Sequence, residues 1–225
     1  MIEQPWQQVF QNYATSSFLE VLRRESPHMM PTPGLSASVV DVPGIGIAGA
    51  AGPAMEMAKL FQTELEHYEK VEGDNLSLEG KANKLSQMIR MNLQVAMMGL
   101  AVVPIFAGFD ERAGVGRLFK YDITGGRYEE KDYDAQGSGS KDARDSLKKL
   151  WRRDMYRDDA LRASLEALID AADEDVGTGG PDLVRGIFPT VKTVTRSGFT
   201  DIGEDEVRRV CDAILKDRTQ SEQGV

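Results

Sequence analysis

Three glycine-rich junctions carry the residues that could do chemistry. The first is Gly46-Ile47-Ala48-Gly49-Ala50-Ala51-Gly52. Small residues at a strand-to-helix junction let a substrate backbone approach. The free N–H groups at the start of a helix can also stabilise an oxyanion. The second is Gly137-Ser138-Gly139-Ser140, where Ser140 is placed to cap a helix and Ser138 has no such task. The third joins Asp175 to Thr178 in the loop Asp175-Val176-Gly177-Thr178-Gly179-Gly180.

Other chemistries lack the residues they need. The chain has 2 histidines, and a Ser-His-Asp triad would have to use His28 or His67. His67 lies in a glutamate-rich helix, where a solvated role is expected. Cys211 stands beside Val210 on a terminal helix and reads as a small buried hydrophobe. There is no Gly-x-Ser-x-Gly elbow, phosphate loop or HExxH motif. Gly44, Gly46 and Gly49 partly match a dinucleotide fingerprint, but the acidic residue it requires would fall inside a long helix. Asp170, Asp173, Glu174 and Asp175 lack the spacing of a calcium loop and read as a solvated cluster. No metal and no cofactor is expected.

Composition narrows the class. The 225 residues hold 27 Lys+Arg and 36 Asp+Glu, for a net charge of −9. That balance disfavours nucleic acid and anionic membrane surfaces as partners. A single cysteine excludes an intramolecular disulfide and suits a reducing, cytoplasmic location. The first twenty residues do not read as a signal peptide. The apolar stretch from Val95 to Ala107 is interrupted by Gly99 and Pro104 and is too short to span a bilayer.

The elements that must position these residues follow from periodicity. Ser16 to Arg24 predicts a short amphipathic helix through Phe18, Leu19 and Leu22, inside an extension or linker over residues 1–40. Val39 to Gly49 predicts a strand. Gly52-Pro53 starts a helix with Ala54, Phe61, Leu65 and Tyr68 on its apolar face. Ser77 caps a second helix, striped by Ala82, Leu85, Ile89, Leu93, Ala96 and Leu100.

Strands are predicted over Val102–Phe109, Gly116–Ile123, Arg127–Glu129 and Tyr133–Gln136, with a hairpin at Gly125-Gly126. Helices follow over Lys141–Arg153 and from Asp158 through Ala172. Ile187–Thr195 and Phe199–Asp201 read as strands, and Glu204–Lys216 as a last helix, leaving a tail over 218–225. Helices come in pairs rather than alternating with strands, which predicts an α+β protein of antiparallel sheets between helical layers.

Several stretches resemble the β subunits of actinobacterial 20S proteasomes. They include Gly46-Ile47-Ala48-Gly49, Glu64 to Gly73, Leu78 to Asn83, Gly99 to Pro104, Gly137 to Ser140 and Ala171 to Asp175. Thr178-Gly179-Gly180-Pro181-Asp182-Leu183-Val184-Arg185-Gly186-Ile187-Phe188-Pro189 is an especially close match. The likeness runs from about Gly44 to Lys216, and the region around Ser16-Ser17-Phe18 resembles that family's propeptide.

The resemblance implies a four-layer αββα sandwich of the N-terminal-nucleophile hydrolases, with its main domain over 41–217. It implies a threonine protease whose new N-terminal threonine attacks a peptide carbonyl, with its own amine as general base. Heptameric rings with other β subunits, stacking on α subunits, an ATPase ring and unfolded protein substrates are the partners implied.

By the same likeness, Gly49 supplies the oxyanion N–H, Ala51 lines the specificity pocket, and Ser138, Asp175 and Thr178 support the amine. Val176-Gly177 stands where the family more usually has Ser-Ala. The departure lies upstream: Met30-Pro31-Thr32-Pro33-Gly34 leads almost directly to Gly46-Ile47-Ala48-Gly49, without the segment that holds the nucleophile. The sole Gly-Thr pair is Gly177-Thr178, inside the supporting loop. The chain is therefore expected to lack some N-terminal strands and to be inactive alone. The alternative is a truncated, non-catalytic β-like subunit.

Overall fold

A computed structural model describes residues 18–21 and 44–223 of the chain. The expectations for residues 1–17, 22–43 and 224–225, including the start of the Val39 strand, lie outside the described residues. The chain divides into two compact units.

The sheet-rich unit comprises residues 44–132 with 194–199. Four strands, β2 (Gly44–Gly49), β3 (Val102–Asp110), β4 (Val115–Tyr121) and β5 (Arg127–Glu130), form an antiparallel sheet in that order. Helices α1 (Ala51–Glu72) and α2 (Leu78–Met91) pack on it. The spacing of Ala54, Met57, Phe61 and Leu65 puts one stripe of α1 inward, and Leu78, Ala82, Leu85 and Ile89 do the same for α2.

Both stripes meet Phe106 and Phe119 on the sheet. Phe61 stands edge-on to Phe106, with centroids 5.9 Å apart, and Phe106 stacks on Phe119 at 5.9 Å. Alternation sends Ile105, Ala107 and Leu118 to the opposite face, where they are also buried. The phenol of Tyr121 donates to the Ala82 carbonyl at 2.9 Å, and burial pushes its pKa up.

Ser77 caps α2 as expected, accepting the Gly80 N–H at 3.1 Å. The helix does not run to Leu100, however. It ends at Met91, where the Asn92 N–H is shared between the Met88 and Ile89 carbonyls, and only the short α3 (Leu93–Met97) follows. Leu93 and Ala96 are half-buried and Leu100 is exposed, so the stripe loses its partner surface beyond Ile89.

The hairpin at Gly125-Gly126 is real, but its loop is five residues long. Asp122 collects the Thr124 N–H at 2.8 Å, the Thr124 hydroxyl at 2.6 Å and the Gly126 N–H at 2.9 Å. That folds the residues around Asp122 into a turn and leaves Ile123 exposed instead of in a strand.

The helix-rich unit comprises residues 18–21, 133–193 and 200–223. Here the helix expected near Phe18 is replaced by β1 (Phe18–Val21), which pairs antiparallel with β6 (Tyr133–Gln136). A nine-residue amphipathic segment is too short to hold a helix by itself, whereas a strand partner supplies backbone hydrogen bonds. Residues 18–21 of the expected linker are thus part of the fold. Helices α4 (Ser140–Leu150) and α5 (Arg157–Glu174) pack against this ribbon, with Ala135, Ala143 and Ala171 in a small-residue contact.

A separate aliphatic core joins Leu161, Leu165 and Ile169 of α5 to Val207, Cys211 and Ile214 of α6 (Glu204–Gln223). Because α6 continues past Lys216 to Gln223, the tail expected over 218–225 is largely helix. Its Arg218 binds Asp170 and, at 2.9 Å, Asp173.

Of the strand expected over Ile187–Thr195, only β7 (Lys192–Thr195) forms, paired with β8 (Gly198–Asp201). Ile187 instead closes a tight loop by exchanging backbone bonds with Asp182. The tip of this hairpin, residues 194–199, is counted with the sheet-rich unit, where Phe199 lies against Gly44.

Candidate functional site

The helix-rich unit brings Ser138, Asp175 and Thr178 together. Ser138 follows β6 through Gly137, whose φ of 112° suits only glycine. Ser140 does not cap α4. Gly139 holds the N-cap position, and its carbonyl takes the Ala143 N–H at 3.0 Å. Ser138 is exposed just before the helix. Asp175 ends α5 in an extended conformation that turns its carboxylate out of the helical row.

The Ser138 hydroxyl donates to Asp175 Oδ2 at 2.5 Å, and the Thr178 hydroxyl donates to the same oxygen at 2.6 Å. Oδ1 accepts the Gly177 N–H at 3.2 Å. The Thr178 N–H closes the turn on the Asp175 carbonyl at 3.0 Å. Thr178 is buried, so its hydroxyl is held in place.

Donation by Ser138, then by Thr178, holds the Asp175 carboxyl below the usual carboxylate range. Each hydroxyl that donates to Asp175 keeps lone pairs on its own oxygen. The cluster is therefore an ionised carboxylate flanked by two acceptor oxygens, an arrangement suited to an amine or ammonium rather than to an anion.

The acidic run beside it is divided. Asp170 accepts from Ser146 and Arg218, and Asp173 from Arg218, so these two are paired rather than simply solvated. Sequence reasoning missed this clamp, since its cation lies 45 and 48 residues away on α6. It also passed over the Gly177 N–H, because a backbone donor leaves no mark in residue type. Among the described residues, no group of three or more His, Cys, Asp or Glu could hold a metal ion. Cys211 is fully buried, and burial pushes its thiol up to about 11, the inert state expected of it.

Gly49 and Ala51 occupy the junction of β2 and α1 in the sheet-rich unit. The φ of Gly49 is 118°, and a Cβ there would lie 2.1 Å from the Ala101 carbonyl oxygen, so glycine is required. Ala50 donates to that oxygen at 2.9 Å and precedes α1 without a side-chain cap. Gly49 and Ala51 are both exposed.

The described residues are mixed α+β, with paired helices and antiparallel sheets, and the hydroxyl–carboxylate cluster lies between a strand-to-helix turn and a helix end. Residues 38–184 match the family model described as "Proteasome subunit". The chain is 53% identical over 180 residues to proteasome subunit beta of Parafrankia sp., covering 80% of this chain and 66% of that protein. It is 56% identical over 180 residues to proteasome subunit beta of Streptomyces griseus, covering 80% and 64%. It is 42% identical to proteasome subunit beta of Frankia casuarinae over 261 residues, covering 96% and 95%.

The chain belongs to the proteasome subunit family, with relatives of the β type. It spans just under two thirds of the Parafrankia and Streptomyces proteins. The Frankia alignment runs over 261 residues against the 225 of this chain, so it includes positions with no counterpart here. Among the described residues, no helix is long and apolar enough to cross a membrane.

Proposed function

We propose that this chain is a β-type subunit of a 20S proteasome core particle, the particle that degrades unfolded proteins by threonine-type peptide hydrolysis of broad specificity. In this reading it carries the supporting half of the site without the attacking group. The observation that carries the reading is Asp175, which receives two hydroxyls on one oxygen and a backbone N–H on the other. That carboxylate, with the Ser138 and Thr178 oxygens, is built to hold an amine at the position where a threonine's own amino group would act as base. Gly49 would contribute its N–H to the oxyanion, and Ala51 would line the pocket for the substrate side chain.

Three features support the rest. The single Gly-Thr pair, Gly177-Thr178, lies inside the cluster's own loop, so processing there would cut the site apart. The extra positions of the Frankia alignment fit an absent internal segment. Helices α1 to α3 expose Leu60, Val71, Met91 and Met97, and Met98 follows just after, an apolar dress suited to contacts with other α- and β-type subunits in a ring. No cofactor is invoked, and the location would be cytoplasmic.

The test combines native mass spectrometry with a peptide assay. Co-produced with α-type subunits, the chain is expected to enter a multi-subunit particle. Purified alone, it is expected to release no fluorophore from peptide substrates. Turnover that a threonine-directed covalent inhibitor abolishes would overturn the absence of the nucleophile. Failure to enter any particle would overturn the subunit reading.

A further inference from the structure

The ribbon of β1 and β6 ends at the candidate site. Phe18 stands opposite Gln136 and Val21 opposite Tyr133, so β1 runs antiparallel to β6. β6 ends at Gln136, and the chain reaches Ser138 through Gly137 with its positive φ. The start of β1 therefore lies beside the end of β6 from which Ser138 departs. Paired strands lie about 5 Å apart and consecutive Cα atoms about 3.8 Å, so a chain entering β1 comes in at that end. β1 also packs against α5, the helix that Asp175 ends. All these elements belong to the helix-rich unit.

The residues that precede Phe18 are of a type the cluster can use. They are Thr15-Ser16-Ser17. The cluster is rich in acceptors: an ionised carboxylate, with lone pairs left on the Ser138 and Thr178 oxygens. Ser16 and Ser17 carry two backbone N–H groups and two hydroxyls, all of them donors, next to the first residue of β1. An acidic stretch at this place would repel the carboxylate, and an apolar one would offer it only its backbone.

We propose that the segment Ser16-Ser17 of this chain's own N-terminal arm occupies the cluster, donating to the oxygens of Ser138 and Asp175. Attachment to β1 gives this segment a local concentration that a free ligand does not reach. In the intact chain the nitrogens it presents are amides, which donate a hydrogen bond but take up no proton. The cluster is then filled from within the chain, with no base at its centre.

This deepens the reading of Ser138, Asp175 and Thr178 as a half-site for an amine and rests on that reading for its meaning. Its test needs neither turnover nor a partner subunit, so it fails separately from the particle and peptide assays.

The experiment is disulfide trapping in the full chain, in a glutathione redox buffer, with linked peptides mapped by mass. Ser138→Cys is combined in turn with Ser16→Cys, Ser17→Cys and Ser36→Cys, the last as a measure of chance encounter. Ser138 is exposed and the exchange is oxygen for sulfur, so the fold is not at stake. Cys211 is fully buried and stays in place. Phe18→Cys with Gln136→Cys checks the ribbon itself, since these residues stand opposite each other.

The Phe18–Gln136 pair is expected to link. Position 16 or 17 is expected to link to 138 at least about tenfold more than position 36 does, the gain of a tethered over a chance encounter. Linking at 16 and 17 no greater than at 36 would overturn the proposal, whether or not the Phe18–Gln136 pair links. Failure of the Phe18–Gln136 pair would also overturn it, because the ribbon would not be there to guide the arm.

Discussion

The two units solve the same packing problem with different materials. The sheet-rich unit stacks three phenylalanines, one from a helix and two from strands, beneath a four-stranded sheet. The helix-rich unit has a two-stranded ribbon, cores of alanine and aliphatic residues, and ion pairs that fasten α6 to α5. The first relies on apolar area and aromatic geometry, and the second adds charge at its rim. The hydroxyl–carboxylate cluster belongs to the second, at the end of a helix, where a carboxylate can reach outward. A core packed on both sheet faces has no room for an ionised group without partners.

The largest test of this contrast is Phe106→Ala. Phe106 is fully buried between two rings, and its truncation is expected to cost about 3–5 kcal/mol, read by urea denaturation. Amide exchange should lose protection across β2 to β5. Loss of protection confined to α5 and α6 would break the comparison.

Ile214→Ala in the aliphatic core of α6 is expected to cost about 2–5 kcal/mol by the same measurement, with exchange rising along α5 and α6. Gly49→Ala places a Cβ against the Ala101 carbonyl at a positive φ and is expected to cost about 1–3 kcal/mol. A neutral result there would show that the β2–α1 junction relaxes.

Arg218→Ala removes surface ion pairs and is expected to cost only about 0.2–1 kcal/mol, diminishing with added salt. A larger, salt-independent loss would mean that the helix-rich unit depends on this clamp.

The finest test is a pH titration of one carboxylate from each unit. Asp122, held by the Thr124 hydroxyl and neighbouring N–H groups, is pushed down to about 2. Asp175 is also lowered, by Ser138 and Thr178. Both have folded values below their unfolded ones, so their stabilising effect is complete above the ordinary aspartate range. It fades as pH falls through the folded value. Asp122→Asn should flatten acid sensitivity around the β4–β5 loop, and Asp175→Asn that around the α5 end, both seen by carbon NMR. An Asp175 midpoint at or above the ordinary range would contradict the cluster's geometry.

Much of this was legible in residue order. The stripes of α1 and of α2 up to Ile89, the meander of β3 to β5, the Ser77 cap, the glycine-rich junction at Gly49 and the inert Cys211 follow from local rules. Periodicity, capping and glycine conformation act within a few residues. What local rules misread were elements whose partners lie far along the chain. Phe18 to Val21 is a strand because β6 stands beside it, and α2 stops where the sheet no longer offers a surface. Residues 218–223 stay helical, with Arg218 bound to two carboxylates of α5.

The candidate site shows the same division. Sequence could nominate Ser138, Asp175 and Thr178 by type, by glycine-rich setting and by likeness to a family. It could not bring Ser138 within 2.5 Å of a carboxylate 37 residues away, nor aim the Gly177 N–H at that carboxylate. Local sequence determined the turns, because turn chemistry is a matter of neighbouring dihedral angles. Only the packing of α4 and α5 on the ribbon decided that three polar groups share one point, because hydrogen bonds require distances that no spacing in a chain encodes.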